Sequence, residues 1–167
     1  MRTRSDLMAF LADMNMDVTV TDHPPVFTVD EAQLHTAHLP GGHVKNLFLV
    51  DKTGEYWLVT CLDGQPLKVN ALARFLGAPR FSFAKEEPLF ELLGVRPGSV
   101  TPLALINDVA CRVRPVIDEK LLRHERVNVH PLENTATVTL SSGDLLRFMR
   151  SFGHEPLIVD LDRSLDA

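Results

Sequence analysis

His43-Val44-Lys45-Asn46-Leu47-Phe48-Leu49-Val50 passes from polar to apolar directly after Gly41-Gly42. Its second half, 47–50, is short, β-prone and bounded by Asp51, Thr53 and Gly54. It reads as a buried strand, entered through a polar loop formed by the first half. A second apolar run, 55–62, follows the turn residues 51–54, which makes the two a hairpin. Side chains alternate along a strand, so Lys45 shares a face with Leu47 and Leu49. An ammonium at the mouth of such a face must reach water, a carbonyl or an anion. Most strand-edge lysines simply extend to water, so spacing alone assigns Lys45 no chemistry.

Outward from the hairpin, helices and strands are interspersed without a strict βαβ rhythm. Upstream, Thr3 caps a helix with Leu7, Met8, Leu11 and Met14 at helical spacing, and 17–21 reads as a short strand. His23-Pro24-Pro25 is an extended turn, and Thr28 with Glu31 forms a capping box opening a helix over 29–35. Downstream, Asn70 is placed as the cap of a helix ending at Gly77, followed by a strand Phe81–Phe83 and a helix Glu86–Leu93. The Gly/Pro-dense stretch 94–102 must be a structured loop. Strands are expected at 109–117, 127–130 and 136–140, a helical turn at 118–124, and a helix from Ser141 to Gly153. A last strand, Leu157–Val159, precedes a loose acidic tail. The order favours an α+β fold, a mixed sheet with helices packed outside it, in one domain spanning 1–167.

Composition narrows the class. The chain has 167 residues, 45% hydrophobic and 23% charged, as in ordinary soluble domains. Neither a membrane-length apolar run nor a signal segment opens it, so a cytoplasmic location is the expectation. Cys61 and Cys111 sit in separate apolar segments and read as core residues, with no disulfide or zinc site. A net charge of -5 argues against dedicated DNA binding, while leaving room for an RNA end held by a local patch.

Several chemistries find no support. His35, His38 and His43 lack the paired spacing of a zinc site and read as surface loop histidines. A nucleophile elbow, a P-loop and a dinucleotide fingerprint are all missing. Two features are more suggestive. Gly98-x-x-x-Pro102 brackets backbone amides that an oxyanion hole would use, although an ordinary tight connection is the commoner outcome. In Val127-Asn128-Val129-His130-Pro131, alternation puts Asn128 and His130 on one face, where the histidine either orients a substrate or serves structure.

Taken together, four segments resemble the YbaK/prolyl-tRNA synthetase-associated editing domains, most of all their free-standing alanyl-tRNA(Pro) deacylases, the ProXp-ala group. They are His23-Pro24-Pro25-Val26-Phe27-Thr28-Val29-Asp30-Glu31-Ala32, Lys45-Asn46-Leu47-Phe48-Leu49, the Gly98 to Pro102 loop, and Val129-His130-Pro131-Leu132-Glu133-Asn134-Thr135-Ala136-Thr137. The resemblance implies a mostly antiparallel, curved sheet with helices around it, and hydrolysis of the ester of alanine misattached to tRNA(Pro). It implies Lys45, Asn46, Gly98 and His130 as the reacting centre, with Lys45 holding the charged tRNA end. The loop residues Ser99, Val100, Thr101 and Pro102 would hold the terminal adenosine, whose ribose hydroxyl would share the proton handling. Asn128 would line the substrate site, and Val26, Phe27, Val29 and Leu47 would exclude larger side chains by size. For the tRNA, Lys45, Lys52, Lys68, Arg74 and Arg80 are the expected phosphate or stem contacts, Arg80 foremost. No metal or cofactor is implied. The expected partners are the acceptor end of tRNA(Pro) and prolyl-tRNA synthetase, with no membrane. A deacylase specific for cysteine or another small amino acid, a non-catalytic tRNA- or synthetase-binding module and a small-ligand regulator are the competing readings.

Overall fold

The computed structural model describes residues 1–167. In chain order it forms α1 (Arg4–Asp13), β1 (Thr19–Asp22), α2 (Val29–Thr36), β2 (Gly42–Asp51), β3 (Tyr56–Leu62), α3 (Val69–Leu76), β4 (Phe81–Phe83) and α4 (Glu86–Leu93). There follow β5 (Val113–Asp118), β6 (Arg126–Val129), β7 (Ala136–Ser141), α5 (Ser142–Ser151) and β8 (Leu157–Val159). Short 3-10 helices cover Pro102–Asn107, Leu121–Arg123 and Leu161–Asp166.

The strands make one eight-stranded sheet in the order β1-β7-β6-β2-β3-β5-β8, with β4 beside β2. Four of its seven pairings are antiparallel. The expected α+β architecture is therefore the observed one. Its centre is the β2–β3 hairpin, in register from Val44↔Leu62 to Val50↔Tyr56. The Asp51 carboxylate organises the turn, accepting Thr53 N–H, Thr53 Oγ1–H, Glu55 N–H and the indole N–H of Trp57. Burial pushes that carboxyl up, and these bonds together more than offset it, holding it below the ordinary aspartate value. Asp51→Ala leaves the Trp57 N–H buried without its acceptor. It should cost about 3 kcal/mol in urea unfolding, and a loss below about 1 kcal/mol contradicts this account of the turn.

Both sheet faces are covered. On one, α1, α4, α5 and the Pro102–Asn107 helix enclose a cluster of 23 buried residues that includes Phe48, Leu58, Leu103 and Phe148. On the other, α3 and the C-terminal 3-10 helix close over a smaller cluster containing Leu49, Trp57, Leu72, Phe81 and Leu161. The hairpin's alternation feeds both: Phe48 and Leu58 point one way, Leu49 and Trp57 the other.

Several expectations are corrected. β2 begins at Gly42 rather than Leu47, because β3 and β6 pair with the polar residues and pairing overrides propensity. α3 is entered from Lys68, whose carbonyl accepts Leu72 N–H at 2.8 Å, so Asn70 lies inside the helix. Residues 109–112 turn before β5, where the buried Asp108 carboxylate accepts Arg112 and Val113 N–H. Cys111 is exposed there, not a core residue, whereas Cys61 is fully buried. The acidic tail is also ordered. Leu161 and Ser164 are buried, and Lys120 Nζ lies within 3.3 Å of carboxylate oxygens of Asp118, Asp160 and Asp162.

Candidate active site

An interruption in strand pairing builds the site. On the edge of β2 away from β3, β6 pairs only with Gly42 and His43. On the same edge β4 pairs with Leu49 to Asp51, and Ala84 N–H bonds Phe48 O. Asn46 therefore faces an edge without a strand partner. Asp63 N–H donates to His43 O, so alternation commits the main chain of Lys45 to Cys61 of β3 and turns that of Asn46 toward the opening. The main chain of Lys45 is thus used in strand pairing, and its ammonium is the polar group it brings to the cavity.

A cavity of about 260 Å3 occupies the opening. Its walls are Val26 to Val29, Ala32, Gln33 and Thr36 around α2, His43 to Asn46 of β2, Asp63, Gly98, Val100, Asn128 to His130 and Thr137. Thr28 caps α2 by accepting Glu31 N–H, one half of the expected capping box, while the Glu31 carboxylate faces Thr28 Oγ1. Two hydrogen bonds between Val26 and Asn134 tie the segment before α2 to the β6–β7 turn.

The sequence-derived residues divide into three groups. The first converges on the cavity: Lys45, Asn46, Gly98, Val100, His130, Val26, Phe27, Val29 and Asn128. Lys45 Nζ donates to Gln65 O. Asn46 Nδ2 donates to Val100 O at 3.1 Å and its Oδ1 accepts Thr60 Oγ1–H at 2.6 Å, which fastens the glycine-proline loop to β2. Gly98 has φ +88°, and a Cβ there would lie 2.9 Å from Phe27 Cδ1, so the phenyl ring rests directly on the glycine. Phe27 itself is 67% exposed, placed at the mouth rather than inside. Asn128 is a wall whose amide is committed to Pro40 O, Gly42 O and Thr139 Oγ1.

The second group supports the cavity from behind. Ser99, Thr101 and Pro102 are buried, with Ser99 N–H on Arg96 O and Thr101 capping the following 3-10 helix. Leu47 packs against the smaller core cluster on the Lys45 face.

The third group lies elsewhere. Lys52 follows the far end of β2, roughly 23 Å from Lys45 at strand spacing, and Arg80 is beside it, since Lys52 N–H bonds Pro79 O. Arg74 donates to Ala167 O on the outer side of α3, and Lys68 is exposed at the start of that helix. Of the histidines expected in surface loops, His35 lies in α2 and stacks on His23, and His43 lies in β2 and bonds Leu39 O, because helix and strand extend over them.

Asp63 is a wall residue that sequence reasoning missed. It closes β3, and the signal available was its place just beyond the strand paired with Lys45's own.

His130 has a defined state. Its Nδ1 faces Ala136 O, which can only accept, so the proton is on Nδ1 and Nε2 keeps its lone pair. Burial pushes its pKa below the ordinary histidine value, with the Ala136 bond opposing. The folded protein thus resists protonation more than the unfolded chain does. Stability due to neutral His130 is complete above about pH 6.5 and is lost as the pH falls below it. His130→Gln should flatten the melting-temperature profile between about pH 6.5 and pH 5 relative to wild type. Parallel profiles would contradict this.

Residues 23–148 match the family described as "Aminoacyl-tRNA editing domain". The chain belongs to this family. "Prolyl-tRNA synthetase associated domain-containing protein 1" of Danio rerio is 42% identical over 161 residues, covering 95% of this chain and 88% of the relative. "Prolyl-tRNA editing protein ProX" of Acetoanaerobium sticklandii is 32% identical over 162 residues, covering 96% and 99%. The crystal structure of hypothetical protein APE2540 shares the fold, with a TM-score of 0.73 at 22% identity over 93% of this chain and 97% of that one. The four segments that carry the sequence resemblance all contribute to the cavity walls: 23–32 through Val26 to Val29 and Ala32, the start of β2 through Lys45 and Asn46, the glycine-proline loop through Gly98 and Val100, and the last through Val129, His130 and Thr137.

Proposed function

We propose that this editing domain, spanning residues 1–167, hydrolyses alanine from misacylated tRNA(Pro) in trans, in the cytoplasm. The observation that carries the reading is the cavity itself. At about 260 Å3 it is smaller than the usual small-molecule site. It suits an aminoacyl ester rather than a whole nucleotide, and it brings together one ammonium (Lys45) and one carboxylate (Asp63). Asp63 matches the α-ammonium of an aminoacyl group, and Lys45 the anionic end of the tRNA. Val26 and Val29 bound the side-chain space, which favours alanine over larger residues by size. Phe27 offers an exposed ring face at the mouth, suited to stack on the terminal base.

Water attacks the ester carbonyl, the carbon–oxygen bond to the ribose breaks, and alanine and free tRNA leave. The vicinal ribose hydroxyl relays the water's proton to the departing ribose oxygen. The protein orients the ester and water and supplies polar groups around the developing oxyanion. Replacing that ribose hydroxyl by hydrogen in alanyl-tRNA(Pro) should remove most of the turnover seen with the native substrate. Equal turnover of both would contradict the substrate's part in the proton transfer, and no turnover of either would contradict the deacylase reading.

A further inference from the structure

The Lys45 ammonium is held by a carbonyl, and that carbonyl belongs to a residue fixed from the other end of the chain. Gln65 is 4% exposed and lies between β3 and α3. Its main-chain oxygen accepts Lys45 Nζ, and its own N–H bonds Leu62 O at 3.0 Å. Its side-chain Nε2 donates to Asp162 Oδ1 at 2.9 Å and Pro66 O at 3.1 Å. Asp162 is on the C-terminal 3-10 helix, 97 residues away in sequence and beyond the residues 23–148 that match the editing-domain family.

Asp162 is half exposed yet firmly placed. Its Oδ2 lies 3.3 Å from Lys120 Nζ, which also contacts Asp118 Oδ2 at 3.0 Å and Asp160 Oδ1 at 3.2 Å. Asp118 is fully buried, and its Oδ1 accepts Leu161 N–H, the residue before Asp162. Asp160 Oδ1 accepts Asp162 N–H in turn. One lysine and three carboxylates thus lock the C-terminal turn, and the turn locks Gln65. A lysine side chain has many rotamers, and a fixed acceptor selects the one that keeps the ammonium at the cavity wall.

We infer that Asp162, acting through Gln65, is a positioning residue for the Lys45 ammonium. The inference rests on the deacylase reading above for its kinetic consequence, though not for its structural one. Asp162→Asn keeps an oxygen for Gln65 Nε2 and gives up the charge facing Lys120. Asp162→Ala removes both.

The test compares these two variants with wild type in single-turnover hydrolysis of alanyl-tRNA(Pro), and in nitrogen-15 NMR of the lysine ammonium groups. The Lys45 signal is assigned by its loss in Lys45→Ala. Asp162→Ala should lower the single-turnover rate at subsaturating enzyme about tenfold, and should shift or broaden the Lys45 signal. Asp162→Asn should stay within about twofold of wild type, with the Lys45 signal preserved. An unmoved Lys45 signal in Asp162→Ala overturns the inference, as does an equal loss of rate in both variants. Failure of the wild type to turn over alanyl-tRNA(Pro) would instead count against the deacylase reading, and the NMR comparison would still decide the positioning.

Discussion

Lys45→Ala is expected to lower the single-turnover hydrolysis of alanyl-tRNA(Pro) by at least about 100-fold and to leave the melting temperature close to wild type. The asymmetry follows from the geometry. The main chain of Lys45 is paired with Cys61, and alanine keeps that pairing. The side chain is half-buried at the cavity, and its one protein partner is the Gln65 carbonyl. Removing it costs the fold one hydrogen bond and costs the site its only ammonium. Opposite it, burial pushes the Cys61 thiol up to about 12, so no thiolate sits beside the ammonium. Lys45→Arg keeps the charge in a larger side chain and should fall between the two. Near-wild-type turnover by Lys45→Ala would remove the ammonium from the mechanism.

Asn46→Ala has the second largest expected effect, and it divides differently. The Asn46 amide joins β2 to the Gly98–Pro102 loop through Val100 O and accepts Thr60 Oγ1–H. Thr60 is 1% exposed, so truncation leaves its buried hydroxyl without an acceptor. A stability loss of about 2 kcal/mol is expected, with a fall of about 100-fold in rate as the loop shifts from the ester. Asn46→Asp provides the control. A carboxylate still accepts from Thr60 but cannot donate to Val100 O, so it should recover stability and not rate. Joint recovery of both would show that the loop tether is unimportant. Stability is read from urea unfolding and rate from single-turnover hydrolysis.

Much of this arrangement is legible in the residues, and the misses have a common cause. Local signals served well: Thr28 with Glu31, the turn 51–54 and Gly77, which takes the left-handed conformation, mark element ends where they are expected. The cavity residues Lys45, Asn46, Gly98 and His130 were found through a family resemblance, since alternation alone left Lys45 and His130 with ordinary structural readings. What escaped depends on distant partners. β2 extends back to Gly42 because β3 and β6 pair with it, and the acidic tail folds because Lys120 gathers three aspartates. Asp63 carries no motif and becomes a wall only when β3 lies beside β2. The exposed position of Phe27 is equally invisible in a sequence that lists it among apolar neighbours. Periodicity reports which face a residue takes, and it does not report what sits across from that face.

The most direct test of the central claim is release of labelled amino acid from alanyl-, cysteinyl- and prolyl-tRNA(Pro), measured side by side with wild type and Lys45→Ala. Rapid loss of alanine, with cysteinyl- and prolyl-tRNA spared and the activity gone in Lys45→Ala, is the predicted result. Preferential loss of cysteine would contradict the assigned substrate, and binding of all three without turnover would contradict the assignment of the cavity as a deacylase site.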